Sequence, residues 1–287
     1  VSRAAFLFLA PSLLFFSIFF LFPLCFTLYL SFHEWDMLGS VTEAVNVGFK
    51  NYVQLMGDGR FKTTLFNTFL FVGANLLFMP ALSLGVAMLL NAVKFGAKFW
   101  RLLFFLPVVT SVVAMSLVWQ YMLDPTYGPV NEILKFLGLP PQGWIMSKEQ
   151  SLLSVILFML WQGIGYYAII YLAGLQGISE EYYEAAKLDG ASEWHKFRYI
   201  TLPLLRPTSL FVLIMVAINS FQVFTQVFVL TNGGPVDSSN VLGLYIYQTA
   251  FEFLDMGKAS AMAVILFIMV IVISLAQLKS MGKENTE

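Results

Sequence analysis

Six stretches of this sequence contain no Asp, Glu, Lys, Arg or His: 4–32, 63–93, 102–123, 151–179, 208–236 and 259–278. A bilayer's hydrocarbon core is about 30 Å thick, and a helix needs about 20 apolar residues to cross it. Each of the six runs meets that length. They predict an all-α membrane protein with six transmembrane helices, over approximately 5–32, 63–91, 102–122, 152–177, 208–230 and 259–278. Together these form one domain across 1–287. Composition agrees, because 59% of the 287 residues are hydrophobic and only 11% are charged, about half the charged share of a soluble domain. The first run is too long for a signal peptide and lacks a small-residue cleavage site, so it is expected to stay as an anchor.

The same counts remove several functions. A net charge of −1 with no basic stripe gives nucleic acid nothing to bind. Cys25 has no second cysteine to pair with, and His33 and His195 are too few and too far apart for a metal site. No G-x-x-x-x-G-K-[ST] phosphate loop is present, and the nearest echo, Gly257-Lys258-Ala259-Ser260, lacks the first glycine. The chain is therefore expected to bind no cofactor of its own. The six runs also lack the buried carboxylates that proton or ion relays keep inside a membrane. That weighs against a secondary transporter and against a membrane-embedded hydrolase; an assembly scaffold is a third alternative.

Basic residues set the orientation. If the N-terminus is inside, Arg3, Lys94, Lys98, Arg101, Lys187, Lys196, Arg198, Arg206, Lys279 and Lys283 all lie on the cytoplasmic side. Only Lys50, Arg60, Lys62, Lys135, Lys148 and Lys258 lie outside, in longer loops. Cytoplasmic loops are enriched in Lys and Arg, so both termini are expected in the cytoplasm.

One inner segment stands apart. Residues 181–207 carry 8 of the chain's 33 acidic and basic groups, between two apolar runs. Ser179 can cap a helix whose first turn holds Glu180 and Glu181, where the helix dipole favours acids. Gly190 suits the left-handed residue that ends it, and Ser192-Glu193 can start a second helix. Pro203 is expected to push Leu202 out of helical geometry, and Pro207 to open the fifth span. Glu184 and Lys187 share a face, and Ala185 with Ala186 lets another backbone approach. On local chemistry, a solvated connector and a docking element fit equally well.

Glu184-Ala185-Ala186, then Gly190, then Ile200-x-Leu202-Pro203 resembles the EAA loop of the membrane subunits of binding-protein-dependent ABC importers. Every fixed position of that pattern is matched. "VGFKNY" at 47–52, "NTFLF" at 67–71, "LPVVTSVVA" at 106–114, "LTNGGP" at 230–235, "YIYQTAF" at 245–251 and "GKASA" at 257–261 resemble the carbohydrate-uptake, maltose and glycerol-3-phosphate permease-like branch. The resemblance implies a type I importer permease fold in a bacterial or archaeal cytoplasmic membrane. Its loop, 178–206, would form a cytoplasmic coupling helix using Glu184, Ala185, Ala186, Lys187, Asp189, Gly190, Ile200, Leu202 and Pro203. It also implies a second permease in a heterodimer, two ATPase subunits that use ATP and Mg, and an extracytoplasmic solute-binding protein. The cargo would be a carbohydrate: a sugar, a polyol or an oligosaccharide.

Sugars need hydrogen bonds for their hydroxyls and aromatic faces for their rings. On the fifth span Asn219, Gln222 and Gln226 fall at i, i+3 and i+7, with Phe221, Phe224 and Phe228 spaced alike beside them. Gln162 and Tyr166 are a weaker pair on the fourth. Amide pairing between packed helices is the plainer alternative, and it suits Asn67 and Asn75 on the second span. Apolar residues at Ile133, Leu134, Phe136 and Leu137 make 131–137 a short amphipathic helix at the outer surface. A cysteine placed at Lys94 or Lys187 should react with impermeant thiol reagents only from the cytoplasmic side, and one at Asp237 only from outside. Labelling in the reverse sense would overturn the orientation.

Overall fold

A computed structural model describes residues 3–93 and 95–282, with side chains from 8 to 279 except 94; Lys94 and Lys283 of the orientation argument lie outside the described residues. The chain opens with α1 (Arg3–Phe16), a π turn (Ser17–Leu21) and α2 (Phe22–Leu30). Next come β1 (His33–Glu34), β2 (Val45–Asn46), α3 (Lys50–Gly57) and α4 (Gly59–Ala92). α5 (Ala97–Val109), α6 (Val112–Met122), α7 (Pro129–Phe136) and α8 (Ser151–Gln176) follow. The charged segment holds α9 (Glu180–Leu188), α10 (Glu193–Lys196), a π turn (Phe197–Thr201) and α11 (Leu202–Leu204). α12 (Arg206–Phe221), α13 (Thr225–Leu230), α14 (Leu242–Tyr247), a third π turn (Gln248–Glu252) and α15 (Met256–Gly282) complete the chain.

Four continuous helical segments among the described residues are long and apolar enough to cross a membrane: Phe8–Leu30, Gly59–Ala92, Ser151–Gln176 and Met256–Lys279. Two bent pairs bring the number to six. Glu193–Leu204 meets Arg206–Phe221 at 66°, and α5 meets α6 at 95°, so the single straight span expected over 102–122 is in fact broken. The cause is local. Thr110 is extended, with ψ 152°, and the Ser111 hydroxyl accepts from the Ala114 amide, so α6 starts afresh with its own cap. A two-stranded antiparallel ribbon, with His33 opposite Asn46 and Glu34 opposite Val45, departs from the all-helical expectation.

The chain divides into two compact units, Val1–Lys62 with Leu242–Met269, and Thr63–Val241 with Val270–Glu287. In the first, the buried Asn51 amide donates to the Ser31 and His33 carbonyls, both at 3.0 Å, and holds the ribbon to α3. Gly257 sits so close that a Cβ there would lie 2.0 Å from the His33 carbonyl oxygen. Asp58 caps α4 through the Arg60 and Phe61 amides and accepts from Tyr245 at 2.8 Å. Burial raises its carboxyl, but the Tyr245 hydroxyl, the two amides and Lys258 outweigh that and hold it below its ordinary value.

In the second unit, small residues let helices meet backbone to backbone. A Cβ on Gly165 of α8 would lie 1.9 Å from the Phe104 carbonyl oxygen of α5. A Cβ on Gly174 would lie 2.7 Å from the Thr208 hydroxyl at the start of α12. Asn67, expected to join helices, instead donates to the Asp237 and Asn240 carbonyls at 2.9 and 3.0 Å and pins a loop. Asn75 donates to Phe71 of its own helix at 2.9 Å, so the expected bond between helices is not the one it makes. The amphipathic helix is α7, with Phe136 91% exposed and Asn131 buried. Asn131 ties it to Pro125, Gln142 and Trp144.

Among the described glycines in helices, Gly165 and Gly257 are the least forgiving. Gly165→Ala should destabilise the unit by about 1–3 kcal/mol, because overpacking there meets backbone rather than a movable side chain. Gly85→Ala, with nothing described within 4 Å of its Cβ, should change stability by no more than about 0.5 kcal/mol. Thermal unfolding of the two variants in detergent checks the contrast; equal midpoints would mean that the α5–α8 contact relaxes freely.

Candidate functional site: a broken-helix cavity and a capped loop

The charged loop folds through its own punctuation. The Ser179 hydroxyl accepts from the Glu181 amide at 3.3 Å and caps α9, with Glu180 and Glu181 in the first turn and Lys187 in the last. Asp189 is the C-cap, and Gly190 follows with φ +77°. The Ala191 amide donates to Ala186 at 2.9 Å, and the Gly190 amide to Lys187 at 3.1 Å. This pair of bonds is the Schellman arrangement, which needs a left-handed residue where Gly190 stands. Ser192 caps α10 by accepting from the His195 amide. Among the described residues no ion pair joins Glu184 to Lys187.

The face turned outward is mixed. Glu184, Ala185 and Lys187 are exposed, as are Tyr182 at 57% and Leu188 at 90%. Ala186, Ile200 and Leu202 are half-buried, whereas Pro203 is exposed. The expectation for Leu202 fails: it is helical, with φ −60° and ψ −47°. The π turn over Phe197–Thr201 shifts the carbonyl ladder ahead of Pro203, so the residue before proline need not leave the helix. The chain bends one residue past α11, at Leu205. Sequence reasoning overlooked the bond joining the two halves of the motif: Tyr183 on α9 and the buried Thr201 share a hydroxyl–hydroxyl contact of 2.9 Å. A tyrosine one turn into a capped helix was the available signal.

The fifth span is not one helix. α12 stops at Phe221, Phe224 takes φ −140° and ψ −64°, and α13 starts at Thr225. Beside this break lies a cavity of about 360 Å³, and its polar lining is Gln162, Tyr166, Tyr167, Asn219, Gln222 and Gln226. Val108 and Val112, which flank the break between α5 and α6, line it as well. Five of the six polar residues are those expected from spacing, brought together despite the interruption. The lining includes no Asp, Glu, Lys, Arg or His.

Hydrogen bonding within the cavity is sparse. The Asn219 side-chain amide donates to the Tyr167 hydroxyl at 2.9 Å, and the Gln226 amide makes only a 3.7 Å contact with the Met159 sulfur. The side chains of Gln162 and Gln222 make no hydrogen bond among the described residues. The phenylalanines are elsewhere. Phe221 is 1% exposed and meets Phe69 edge-on at 6.0 Å. Two residues on from Asn219 is about 200° around a helix, so the two could not share a face. Phe224 and Phe228 stack on each other at 5.4 Å and stand outside the lining. Tyr167, buried at 3% exposure and not foreseen, is the addition.

Comparison with known proteins bears on both regions. The family model for binding-protein-dependent transport system inner membrane components matches residues 80–279, which include the loop and the whole cavity lining. The probable ABC transporter permease protein YurN of Bacillus subtilis (strain 168) is 35% identical over 286 residues, covering 98% of this chain and 97% of that protein. The arabinooligosaccharides transport system permease protein AraP of the same organism is 33% identical over 288 residues, or 99% of this chain and 90% of that protein. Among solved structures, a bacterial alginate ABC transporter in complex with alginate pentasaccharide-bound periplasmic protein matches with a TM-score of 0.83 at 25% identity, over 96% of this chain and 92% of that one. With a family match over most of its length and relatives aligned nearly end to end, the chain belongs to the binding-protein-dependent transport system inner membrane components, the permeases of ABC transporters.

Proposed function

We propose that this permease carries an uncharged carbohydrate, an oligosaccharide, sugar or polyol, into the cytoplasm of a bacterium or archaeon. The observation that carries the reading is the cavity between two broken helices, whose lining offers amides and phenols with few bonds among themselves and holds no charge. Irregular backbone inside a membrane is tolerated where it lines such a cavity. A neutral polyhydroxylated solute can bond to amides in both directions without bringing a charge into a low-dielectric site. The arabinooligosaccharide relative supports the same class.

In this reading the chain pairs with a second, different permease, and an extracytoplasmic binding protein delivers the solute. Two partner ATPases bind ATP and Mg; this chain binds neither. Their closure draws the coupling helices together through Glu184, Ala185, Ala186, Lys187, Asp189 and Gly190, and Ile200, Leu202 and Pro203 pass the movement into the fifth span. The solute then meets Asn219, Gln222, Gln226, Gln162 and Tyr166, and hydrolysis returns the pair to the inward state. Both termini and the α9 loop face the cytoplasm.

Two experiments test this. Uptake by the reconstituted complex across a sugar panel identifies the cargo, and Gln222→Ala or Asn219→Ala should then lower it several-fold, since one neutral hydrogen bond is worth about 0.5–1.5 kcal/mol. Assembly and basal ATP hydrolysis should be unaffected; unchanged uptake with a less stable complex would make the amides packing groups. Gly190→Val and Glu184→Lys test the other end. The first strains a left-handed turn by roughly 1–2 kcal/mol, and the second sets two cations side by side on the exposed face. Both should leave the spans inserted while ATPase co-purification or solute-stimulated hydrolysis falls sharply. Normal stimulation in both variants would return the loop to a solvated connector.

A further inference from the structure

A hydrogen bond inside the cavity joins a long helix to a break in another. Tyr167 belongs to α8, which Gly165 and Gly174 hold against α5 and the start of α12. Asn219 lies in the last turn of α12, three residues before the unwound Gln222–Phe224 segment. A carboxamide turns readily about its last torsion and presents either a donor or an acceptor to the same space. Here one amide hydrogen donates to the Tyr167 hydroxyl at 2.9 Å, which fixes where the carboxamide lies. The Asn219 carbonyl oxygen makes no hydrogen bond among the described residues, and Asn219 lines the cavity. The phenol is 3% exposed, so little water competes for it and the bond holds better than an exposed one would.

We propose that Tyr167 is a positioning residue that anchors the Asn219 carboxamide at the cavity wall, giving the solute path an amide at a fixed place for a sugar hydroxyl. The proposal rests on the carbohydrate reading above. It makes this point of the cavity wall a polar contact set by a residue the solute need not touch. Without the phenol, the Asn219 side chain would exchange rotamers, and each passing solute would have to order it.

The test uses the complete transporter, with both permeases, both ATPases and the binding protein, in liposomes. Maltotriose, arabinotriose and lactose are the probes, and the best transported is carried forward. The readout is solute molecules imported per ATP hydrolysed, which a fault confined to folding would not move. Asn219→Ala should lower the ratio about twofold to tenfold, the equivalent of one hydrogen bond. Tyr167→Phe should lower it within the same range, with normal assembly and normal stimulated hydrolysis. In the Asn219→Ala background, Tyr167→Phe should add nothing, because its effect runs through Asn219. Losses that multiply, no loss in Tyr167→Phe, or failure of Tyr167→Phe to assemble would overturn the positioning role while leaving the path intact. No loss in Asn219→Ala, or no import of any of the three probes by the unaltered transporter, would overturn the underlying reading instead.

Discussion

Inside a bilayer no water is at hand for a backbone amide or carbonyl, and each one left unpaired costs several kcal/mol. A chain can therefore stop being helical at membrane depth only where something else supplies the missing bonds. Here two interruptions, Thr110–Ser111 and Gln222–Phe224, border one cavity. Cavity and breaks require each other: the opening gives the loosened backbone its tolerance, and the loosened backbone makes the opening. The π turn at Ser17–Leu21, by contrast, keeps the chain helical on either side and opens nothing.

How far the sequence foretold this depends on how local the cause is. Six charge-free runs allow few alternatives, and four of them hold one continuous helical segment long enough to span. Ser179, Gly190 and Ser192 act within a few residues of themselves, so α9 and α10 start and stop where their side chains say. The break after Phe221 contains no Gly or Pro and lies in a charge-free run, so neither helix punctuation nor charge marks it. The bend at Thr110 had a weak signal in Pro107 and Ser111, hidden for the same reason. Leu202 shows a local preference losing to its setting, since a wider turn upstream made room for Pro203. Tyr167 could not be distinguished from Tyr166 by spacing alone, because only the approach of α12 separates the buried phenol from the exposed one.

The charged loop is a different solution to the problem of short helices. α9 has nine residues, too few to persist alone in water. It is held by a cap at each end and by the Tyr183–Thr201 contact, which crosses from the first half of the motif to the second. That contact gives a physical reason for two segments far apart in the chain to form one unit. A push on α9 reaches the π turn directly, without passing through the exposed residues between.

Gly165 sets a limit on movement. With its Cα this close to the Phe104 carbonyl, α5 and α8 have no clearance between their main chains, so neither can slide or roll on the other without first separating. The pair behaves as a fixed bearing. What freedom the wall of the cavity has must then reside in α6, beyond the Thr110 bend, and in α13, beyond the Gln222–Phe224 gap. Those are the short arms of the two broken helices, eleven and six residues long, and short arms turn a small rotation at the hinge into a small stroke at the tip. Movement confined to these arms resizes the opening by ångströms rather than swinging a domain.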